Sequence, residues 1–368
     1  MGFNCGIVGL PNVGKSTLFN ALTQTVAAQA ANYPFCTIEP NSGRVAVYDE
    51  RLEVIAKIAG SATIIPTTLE VVDIAGLVKG ASTGEGLGNQ FLGHIREVDA
   101  IIHMVRCFED ENITHVEGSV DPLRDIGIID TELMLSDMES LERRLPAAQK
   151  RLKSNAQDSD LALQIQLMEK ALVLLQAGTP ARFLKVDADH KKTFKSLQLI
   201  TAKPVLYVCN VGEEEAVTGN AFTQNVIAYA KDQGAEALII SAAIEAEVAN
   251  LEDEAEKQMF LTDLGLSESG LSKVIRTGHN LLERLTFFTV GPKEARAWTT
   301  FLSAKAPQAA GEIHTDFERG FICAETVSYK DYVETGGEQA AKAQGKMRLE
   351  GKEYVVQEGD IFHFRFNV

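Results

Sequence analysis

The chain has 368 residues, of which 45% are hydrophobic and 23% charged, and its 35 basic and 51 acidic side chains give a net charge of −16. This composition is typical of a folded globular protein of about two or three domains, and it excludes a disordered chain, a collagen and a coiled-coil fibre. A chain this acidic does not bind nucleic acid by bulk attraction, so any RNA or ribosome contact must use a local basic patch or shape.

Short apolar runs alternate with helical or loop sequence through much of the chain. The runs rich in valine and isoleucine cover residues 3–9, 69–74, 100–107, 205–209 and 237–240. Runs of strand length that are apolar on both faces are typical of parallel strands covered by helices. We therefore predict an α/β domain with a parallel-rich sheet, and its first helix over residues 15–24.

A different kind of sequence separates the third run from the fourth. From about 128 to 199, glycine is nearly absent and apolar residues recur at helical spacing, with a polar break at 154–159. This predicts an antiparallel helical hairpin inserted into the α/β domain as a coiled-coil arm. The alternative is a pair of ordinary crossover helices packed on the sheet, and the excess length favours the insertion.

After an acidic helical segment at 245–264, the chain ends in short alternating runs with glycine and proline between them. This pattern predicts a small α+β domain. The predicted boundaries are 1–127 and 200–280 for the α/β domain, 128–199 for the helical hairpin and 281–368 for the C-terminal domain.

Residues 9–16 read GLPNVGKS and match the phosphate-binding loop G-x-x-x-x-G-K-[ST], between a predicted strand and a predicted helix. Backbone N–H groups would cradle the β-phosphate, helped by the positive end of the helix dipole. These groups belong to Asn12, Val13, Gly14, Lys15, Ser16 and Thr17. The Lys15 side chain would bridge the β- and γ-phosphates, and the Ser16 hydroxyl would bind Mg²⁺. We also expect Asn12 to help hold a monovalent cation, K⁺, against the phosphates.

Two further positions complete this kind of site. Residues 73–76 read DIAG at a predicted strand end, so Asp73 would hold Mg²⁺ through water and the Gly76 amide would sense the γ-phosphate. Thr37, in a segment with two prolines, would complete the Mg²⁺ shell only while the γ-phosphate is present. The alternative for Thr37 is an ordinary loop threonine.

The position that reads the base departs from the N-K-x-D pattern of GTPases. The fourth run ends in Asn210, Val211, Gly212 and Glu213. The aspartate of N-K-x-D accepts two guanine donors, whereas Glu213 is one methylene longer and would be repelled by the N1 lone pair of adenine. We therefore favour ATP over GTP, with Asn210 on the base edge, Val211 on its face and the backbone at Ser241 closing the pocket. A GTPase remains the alternative.

These motifs resemble the YchF/Obg-like ATPase family of the translation-factor class of P-loop proteins. The resemblance runs over residues 2–368 and includes the segments 32–40, 73–88, 210–213, 306–311 and 313–317. It implies a nucleotide-binding domain, an inserted coiled-coil arm and a C-terminal TGS domain of β-grasp type. It also implies ATP hydrolysis in preference to GTP hydrolysis, ribosome association and a role in translation or stress response.

The group that handles the attacking water is not fixed by the motifs. Leu77 stands where Ras-like enzymes place the glutamine that orients this water, so we expect slow intrinsic hydrolysis. The family resemblance points to a histidine in the loop after the third strand, here His115. By sequence alone His94 and Arg96 compete with it, as does positioning by the backbone.

Two functions from different classes fit these features. One is a slow ATP-hydrolysing switch whose arm and C-terminal domain dock on the ribosome; the other is a ribosome- or RNA-binding adaptor with a structural nucleotide. Basic residues on the arm and C-terminal domain would contact RNA phosphates, although such runs also form solvated helix faces. They are Arg143, Arg144, Lys150, Arg151, Lys153, Lys342, Lys346, Arg348 and Lys352.

The five cysteines are widely spaced, without a C-x-x-C pair, and are typical of reduced thiols. The sequence shows no export signal and no apolar run near the ~20 residues of a membrane span. We expect a cytoplasmic monomer with no membrane partner.

Overall fold

The computed structural model describes residues 3–30, 38–39, 42–73, 87–155, 157–251, 253–282 and 284–367. Its strands are β1 (Phe3–Val8), β2 (Ile38–Glu39), β3 (Ser42–Ala46), β4 (Thr63–Ile65), β5 (Thr68–Asp73), β6 (Ala100–Arg106), β7 (Val205–Asn210), β8 (Glu236–Ile240), β9 (Arg284–Val290), β10 (Glu294–Phe301), β11 (Phe321–Ser328), β12 (Arg348–Glu350) and β13 (Asp360–Phe366).

The α-helices of the same residues are α1 (Lys15–Ala30), α2 (Glu50–Ala59), α3 (Leu87–Glu97), α4 (Pro122–Ser154), α5 (Ser159–Gln176), α6 (Lys191–Ser196), α7 (Ala221–Asp232), α8 (Ala242–Asn250), α9 (Glu254–Asp263), α10 (Gly270–Leu281), α11 (Ala306–Ile313), α12 (Thr315–Arg319), α13 (Tyr329–Thr335) and α14 (Glu338–Ala343). Short 3₁₀ helices cover Ala181–Phe183, Ala188–His190, Ile200–Ala202 and Glu213–Glu215. In the part of the chain that the structure describes, none of the helices combines the length and apolar character that a membrane span needs.

The chain divides into two compact units, which we call central and terminal. The central unit comprises Cys5–Ala21 and Val72–Val274, and the terminal unit comprises Met1–Asn4, Leu22–Val71 and Ile275–Val368.

The sheet of the central unit contains parallel strands in the order β1, β6, β7 and β8. Every residue of β6 and β7 is buried, as expected for parallel strands covered on both faces. The predicted α/β class is therefore confirmed. Because the strands are parallel, the loops that follow their carboxyl ends meet at one edge of the sheet.

The predicted helical hairpin is also present. Helices α4 and α5 are joined by a short connection and share an apolar cluster that includes Leu141, Leu167, Met168 and Leu175. Helix α4 begins at Pro122, before the predicted start at 128. The Asp121 side chain caps this helix, and the proline occupies the first turn, where its missing N–H costs nothing.

The sheet of the terminal unit has the strand order β12, β11, β13, β9, β10 and β4. One face packs on α11 through a cluster that includes Phe287 and Trp298, and the other packs on α2 through a cluster that includes Ile55 and Phe288. Strand β4 pairs parallel with β10, so this sheet includes a strand from within the residues predicted for the first domain. The predicted domain boundaries stay a prediction.

Candidate functional site

The phosphate loop, between β1 and α1, has a backbone conformation that depends on its glycines. Gly14 and Asn12 have φ values of 99° and 60°, in the left-handed region. A Cβ atom on Gly9 would overlap the carbonyl oxygen of Met104 on β6, and one on Gly14 would overlap the side-chain amide of Asn210 on β7. The loop can therefore lie directly on the neighbouring strands, with the N-terminus of α1 opening from it.

The lysine and hydroxyl groups of the loop lie at the start of α1. The buried Lys15 ammonium donates a hydrogen bond of 2.6 Å to the carbonyl oxygen of Leu10, across the loop. Ser16 and Thr17 are exposed. The lysine is therefore held within its own loop, where an anion could replace the carbonyl as its partner.

Asn210 connects three segments of the site. Its Nδ2 donates to the carbonyl oxygen of Val13 over 2.9 Å, and its Oδ1 accepts from the N–H of Ala242 over 2.9 Å. The residue is 4% exposed. The amide thus fixes the phosphate loop to the start of α8, a role that the sequence reasoning missed.

The other residues assigned to base recognition lie beside Asn210. Val211 and Ser241 are buried, and the Val211 N–H donates to the carbonyl oxygen of Ile240. The Ser241 hydroxyl is a buried group without a hydrogen-bond partner among the described residues. Glu213 is exposed at the start of a 3₁₀ helix. A base contact by these residues stays a prediction.

The loop that follows β6 is shaped by a buried arginine. The Arg106 guanidinium donates to the carbonyl oxygens of Phe108 (3.1 Å), Ile113 (2.9 Å) and Asp110 (3.3 Å). It also lies 4.6 Å from the centroid of the Phe108 ring. A single side chain thereby satisfies three carbonyls of one loop. An arginine near the end of a largely apolar run is visible in the sequence, but it does not identify the carbonyl groups that Arg106 binds.

This loop contacts the phosphate loop directly. The Asn12 Nδ2 atom donates to the carbonyl oxygen of Thr114 over 3.1 Å, and Thr114 precedes His115. The bond leaves the Asn12 side-chain oxygen as the group that could face a cation. Three side chains are candidates for positioning the attacking water: His115, His94 and Arg96. Among the residues that the structure describes, only His115 directly follows a residue that is hydrogen-bonded to the phosphate loop.

The His115 ring is buried and engaged at both nitrogens. Its Nε2 lies 2.8 Å from Oδ2 of Asp125, and its Nδ1 accepts from the N–H of Glu117 over 3.1 Å. Asp125, on the first turn of α4, is 3% exposed. No sequence signal identified it, since ten residues and a turn separate it from the histidine.

The two competing side chains lie on α3. Arg96 donates to Asp137 (3.0 Å), to the Gln198 carbonyl (3.0 Å) and to both oxygens of Ser136. Its N–H groups therefore bind residues 136–137 of α4 and residue 198, a region that we call the root of the helical hairpin. His94 is exposed.

Two groups, one on β6 and one directly after it, have pKa values shifted by their surroundings. Burial lowers the pKa of His103 to about 3, and the positive charges of Arg182 and Lys15 add to the effect. The pKa of Cys107 is raised, first by a hydrogen bond with the Cys209 thiol and then by burial. Both groups are neutral at pH 7, so neither adds charge to the interior of the central unit.

Several predicted metal and switch residues fall outside the description. Thr37, Gly76 and Leu77 lie outside the described residues, and of Asp73 only the backbone, at the end of β5, is described. Within the described ranges, no group of three or more His, Cys, Asp or Glu side chains is arranged to hold a metal ion. The exposed Ser16 hydroxyl at the N-terminus of α1 fits Mg²⁺, which prefers oxygen ligands and uses few protein groups when phosphates supply the rest.

Two family models match the chain. One, described as a 50S ribosome-binding GTPase, matches residues 4–136. The other, YchF-GTPase_C, described as a protein of unknown function, matches residues 285–367.

Similar proteins cover the chain from end to end. "Ribosome-binding ATPase YchF" of Haemophilus ducreyi is 53% identical over 368 residues, and its counterpart of Bacillus subtilis is 52% identical over 370, each with 100% of both chains covered. "Obg-like ATPase 1" of Oryza sativa is 45% identical over 99% of this chain and 92% of its own. The solved structure of the Schizosaccharomyces pombe YchF GTPase matches with a TM-score of 0.86 and 40% identity, over 99% of this chain and 98% of that one.

Proposed function

This chain belongs to the YchF family, and on that premise we propose that it is an ATP-hydrolysing switch that binds the ribosome. The observation that carries the proposal is the hydrogen bond from Asn12 to the Thr114 carbonyl, because it attaches the His115 loop to the phosphate loop. P-loop proteins that hydrolyse nucleotides use a residue beside the phosphate loop to position or deprotonate the attacking water, and the His115 loop is the segment attached there.

The roles of the residues follow from their chemistry. The N–H groups of residues 12–17 and the Lys15 ammonium bind the phosphates, with Lys15 exchanging the Leu10 carbonyl for a phosphate oxygen. Ser16, with Thr37 and Asp73, would hold Mg²⁺, which offsets the negative charge of the phosphate oxygens. His115 orients the water that attacks the γ-phosphate, in place of the glutamine that Leu77 replaces.

ATP is the preferred nucleotide in this proposal. Val211 and Glu213 stand where GTPases carry lysine and aspartate, and neither reproduces the guanine contacts. Several relatives are named ATPases, whereas the matched S. pombe structure and both family models carry GTPase in their names or descriptions. A GTPase is therefore the second candidate, and the base preference has to be measured.

Ribosome binding is proposed from the names of the relatives and from the exposed cations on the arm. Arg143, Lys150, Arg151 and Lys153 are exposed on α4. Arg144 differs, since its guanidinium donates to the Leu197 carbonyl over 2.7 Å and helps hold the root of the hairpin.

Three of the four predicted cations of the C-terminal domain lie beside carboxylates, and the fourth, Lys352, is exposed. Lys346 lies 3.1 Å from Asp331, Lys342 lies 3.8 Å from Glu325, and Arg348 lies 3.3 Å from Glu350. The arm is therefore the stronger candidate for RNA contact. A cytoplasmic location, a monomeric state and K⁺ as a second cation at Asn12 are part of the same proposal.

The test compares the parent chain with His115→Ala and, as a matched control, His94→Ala on the exposed face of α3. Affinity for ATP and GTP and steady-state hydrolysis of each are measured in Mg²⁺ with K⁺ or Na⁺. We expect tighter ATP binding, faster turnover in K⁺, and a loss of about tenfold or more in turnover for His115→Ala alone. Preferred binding of GTP would establish the second candidate, and equal loss in both variants would remove His115 from its role.

A further inference from the structure

We propose that Asp125 is a positioning residue for ATP hydrolysis, which acts by fixing the tautomer and orientation of the His115 ring. The inference rests on the role proposed for His115 and adds the group that prepares it. The two side chains meet over 2.8 Å with 5% and 4% of their surfaces exposed, so water does not compete for the contact.

The hydrogen bonds define which ring nitrogen carries the proton. The Glu117 N–H is a donor, so the Nδ1 atom that accepts from it is unprotonated. In a neutral ring the proton then lies on Nε2, which donates it to the Asp125 carboxylate. The pair therefore favours one of the two neutral tautomers of His115.

Asp125 is itself held in place. Its Oδ1 accepts from Nε and Nη2 of Arg124 over 3.3 and 3.1 Å, and Nη1 of Arg124 donates to the Ser119 hydroxyl over 3.1 Å. The Asp125 N–H donates to the Asp121 carbonyl in the first turn of α4, where the helix dipole favours a carboxylate. One carboxylate oxygen is therefore fixed by Arg124, and the other is left for His115.

The tautomer decides what His115 can do to a water molecule. With Nε2–H held by Asp125, Nδ1 is the nitrogen with the available lone pair, and its present partner is a backbone N–H two residues away in the same loop. When the attacking water replaces that N–H, the water donates to Nδ1 and its oxygen bonds to the γ-phosphorus. The bond to the bridging oxygen breaks, its electron pair leaves with ADP, and the water proton passes through Nδ1 to the phosphate product.

Asp125 contributes in two ways to this step. It prevents the ring from turning its N–H toward the water, which would repel the donor. It also stabilises the positive charge that the ring acquires while it holds the water proton, as a buried carboxylate does for a catalytic histidine. A residue that only fastened the loop to α4 would do neither.

The experiment uses the full-length chain with Asp125→Asn, His115→Ala and the double variant. Asp110→Asn is the matched control, because Asp110 is an exposed aspartate of the same loop that bonds the Asn112 N–H and does not contact the histidine. We expect Asp125→Asn to lower kcat about tenfold or more with ATP affinity unchanged. In the His115→Ala background the same change should have no further effect on kcat.

A spectroscopic readout keeps the proposal testable if Asp125→Asn folds poorly. Nitrogen-15 NMR of the labelled parent protein reports directly which ring nitrogen of His115 is protonated. We expect protonation at Nε2 in the parent and a mixture of tautomers in Asp125→Asn. Protonation at Nδ1 in the parent would overturn the proposal without any variant.

The outcomes separate this inference from the proposed function. If His115→Ala leaves turnover unchanged, the role of His115 fails and the inference fails with it. If His115→Ala lowers turnover while Asp125→Asn does not, His115 keeps its role and Asp125 is only a structural partner. Loss of ATP affinity in Asp125→Asn with unchanged kcat would also contradict a positioning role.

Discussion

Asn210 is the residue whose structural role differs most from the one that its sequence position suggests. The motif places it at the base, whereas its amide joins the Val13 carbonyl to the Ala242 N–H. Both partners are backbone groups, so the amide supports the phosphate loop whichever base is bound.

Asn210→Ala is therefore expected to weaken ATP and GTP binding by similar factors. It leaves a buried carbonyl and a buried N–H unsatisfied, at a cost of about 1–3 kcal/mol each in the free energy of unfolding. Nucleotide titrations and denaturant unfolding measure the two effects. Selective loss of ATP binding at unchanged stability would instead assign Asn210 to the base.

For single residues, the sequence predicts a functional role where the residue belongs to a motif of fixed spacing. The phosphate loop could be recognised because its glycines stand at positions where a side chain would overlap β6 or β7. Arg106 and Asp125 could not, since their partners are backbone carbonyls and a histidine brought near them only by the path of a loop.

Helix α3 and the helical hairpin are joined by one ion-paired junction. Asp137 on α4 is fully buried, and it accepts from the Ile200 and Thr201 N–H groups, from the Thr201 hydroxyl and from Arg96 of α3. The sequence of α3 begins shortly after the DIAG motif. The junction therefore connects α3, the helix that follows the DIAG motif in the chain, with the root of the arm.

Arg96→Ala should destabilise the central unit by about 2 kcal/mol, because it removes a charged hydrogen-bond donor from the buried Asp137 carboxylate. We expect faster hydrogen exchange in α4 around Asp137 and in residues 198–201, with less change at the tip of the arm. Arg143→Ala, an exposed arginine of the same helix, serves as the control. If the two variants changed stability and hydrogen exchange equally, the Arg96–Asp137 junction would contribute no more to stability than an exposed arginine.

The elements differ in how far the sequence could predict them. The hairpin was predicted because its helical periodicity and its short polar break are local features. Strand β4 was not, since Thr63 pairs with Glu294 and no local pattern connects residues so distant in the chain. Its three residues are also too short to show strand periodicity.

At the scale of the whole molecule, the net charge is −16, whereas the arm carries a local group of exposed cations. Arg143, Lys150, Arg151 and Lys153 are concentrated in the last turns of α4 and are exposed. Within a Debye length of about 8 Å at physiological salt, a phosphate is influenced by this local cluster more than by the acidic remainder of the chain. Local charge thus permits contact with RNA that the total charge opposes.

The arm cluster can be tested through the salt dependence of ribosome binding. The triple variant Lys150→Glu, Arg151→Glu, Lys153→Glu should bind ribosomes more weakly at low salt, because contacts to RNA phosphates release counterions. Losing three such contacts should reduce the slope of log K against log salt by about two units. The control carries the same charge change at three exposed lysines that follow the hairpin helices in the chain, Lys185→Glu, Lys191→Glu and Lys192→Glu. If both triple variants changed the slope equally, total charge rather than the arm cluster would govern binding, and an unchanged slope in the first would place the RNA contact elsewhere.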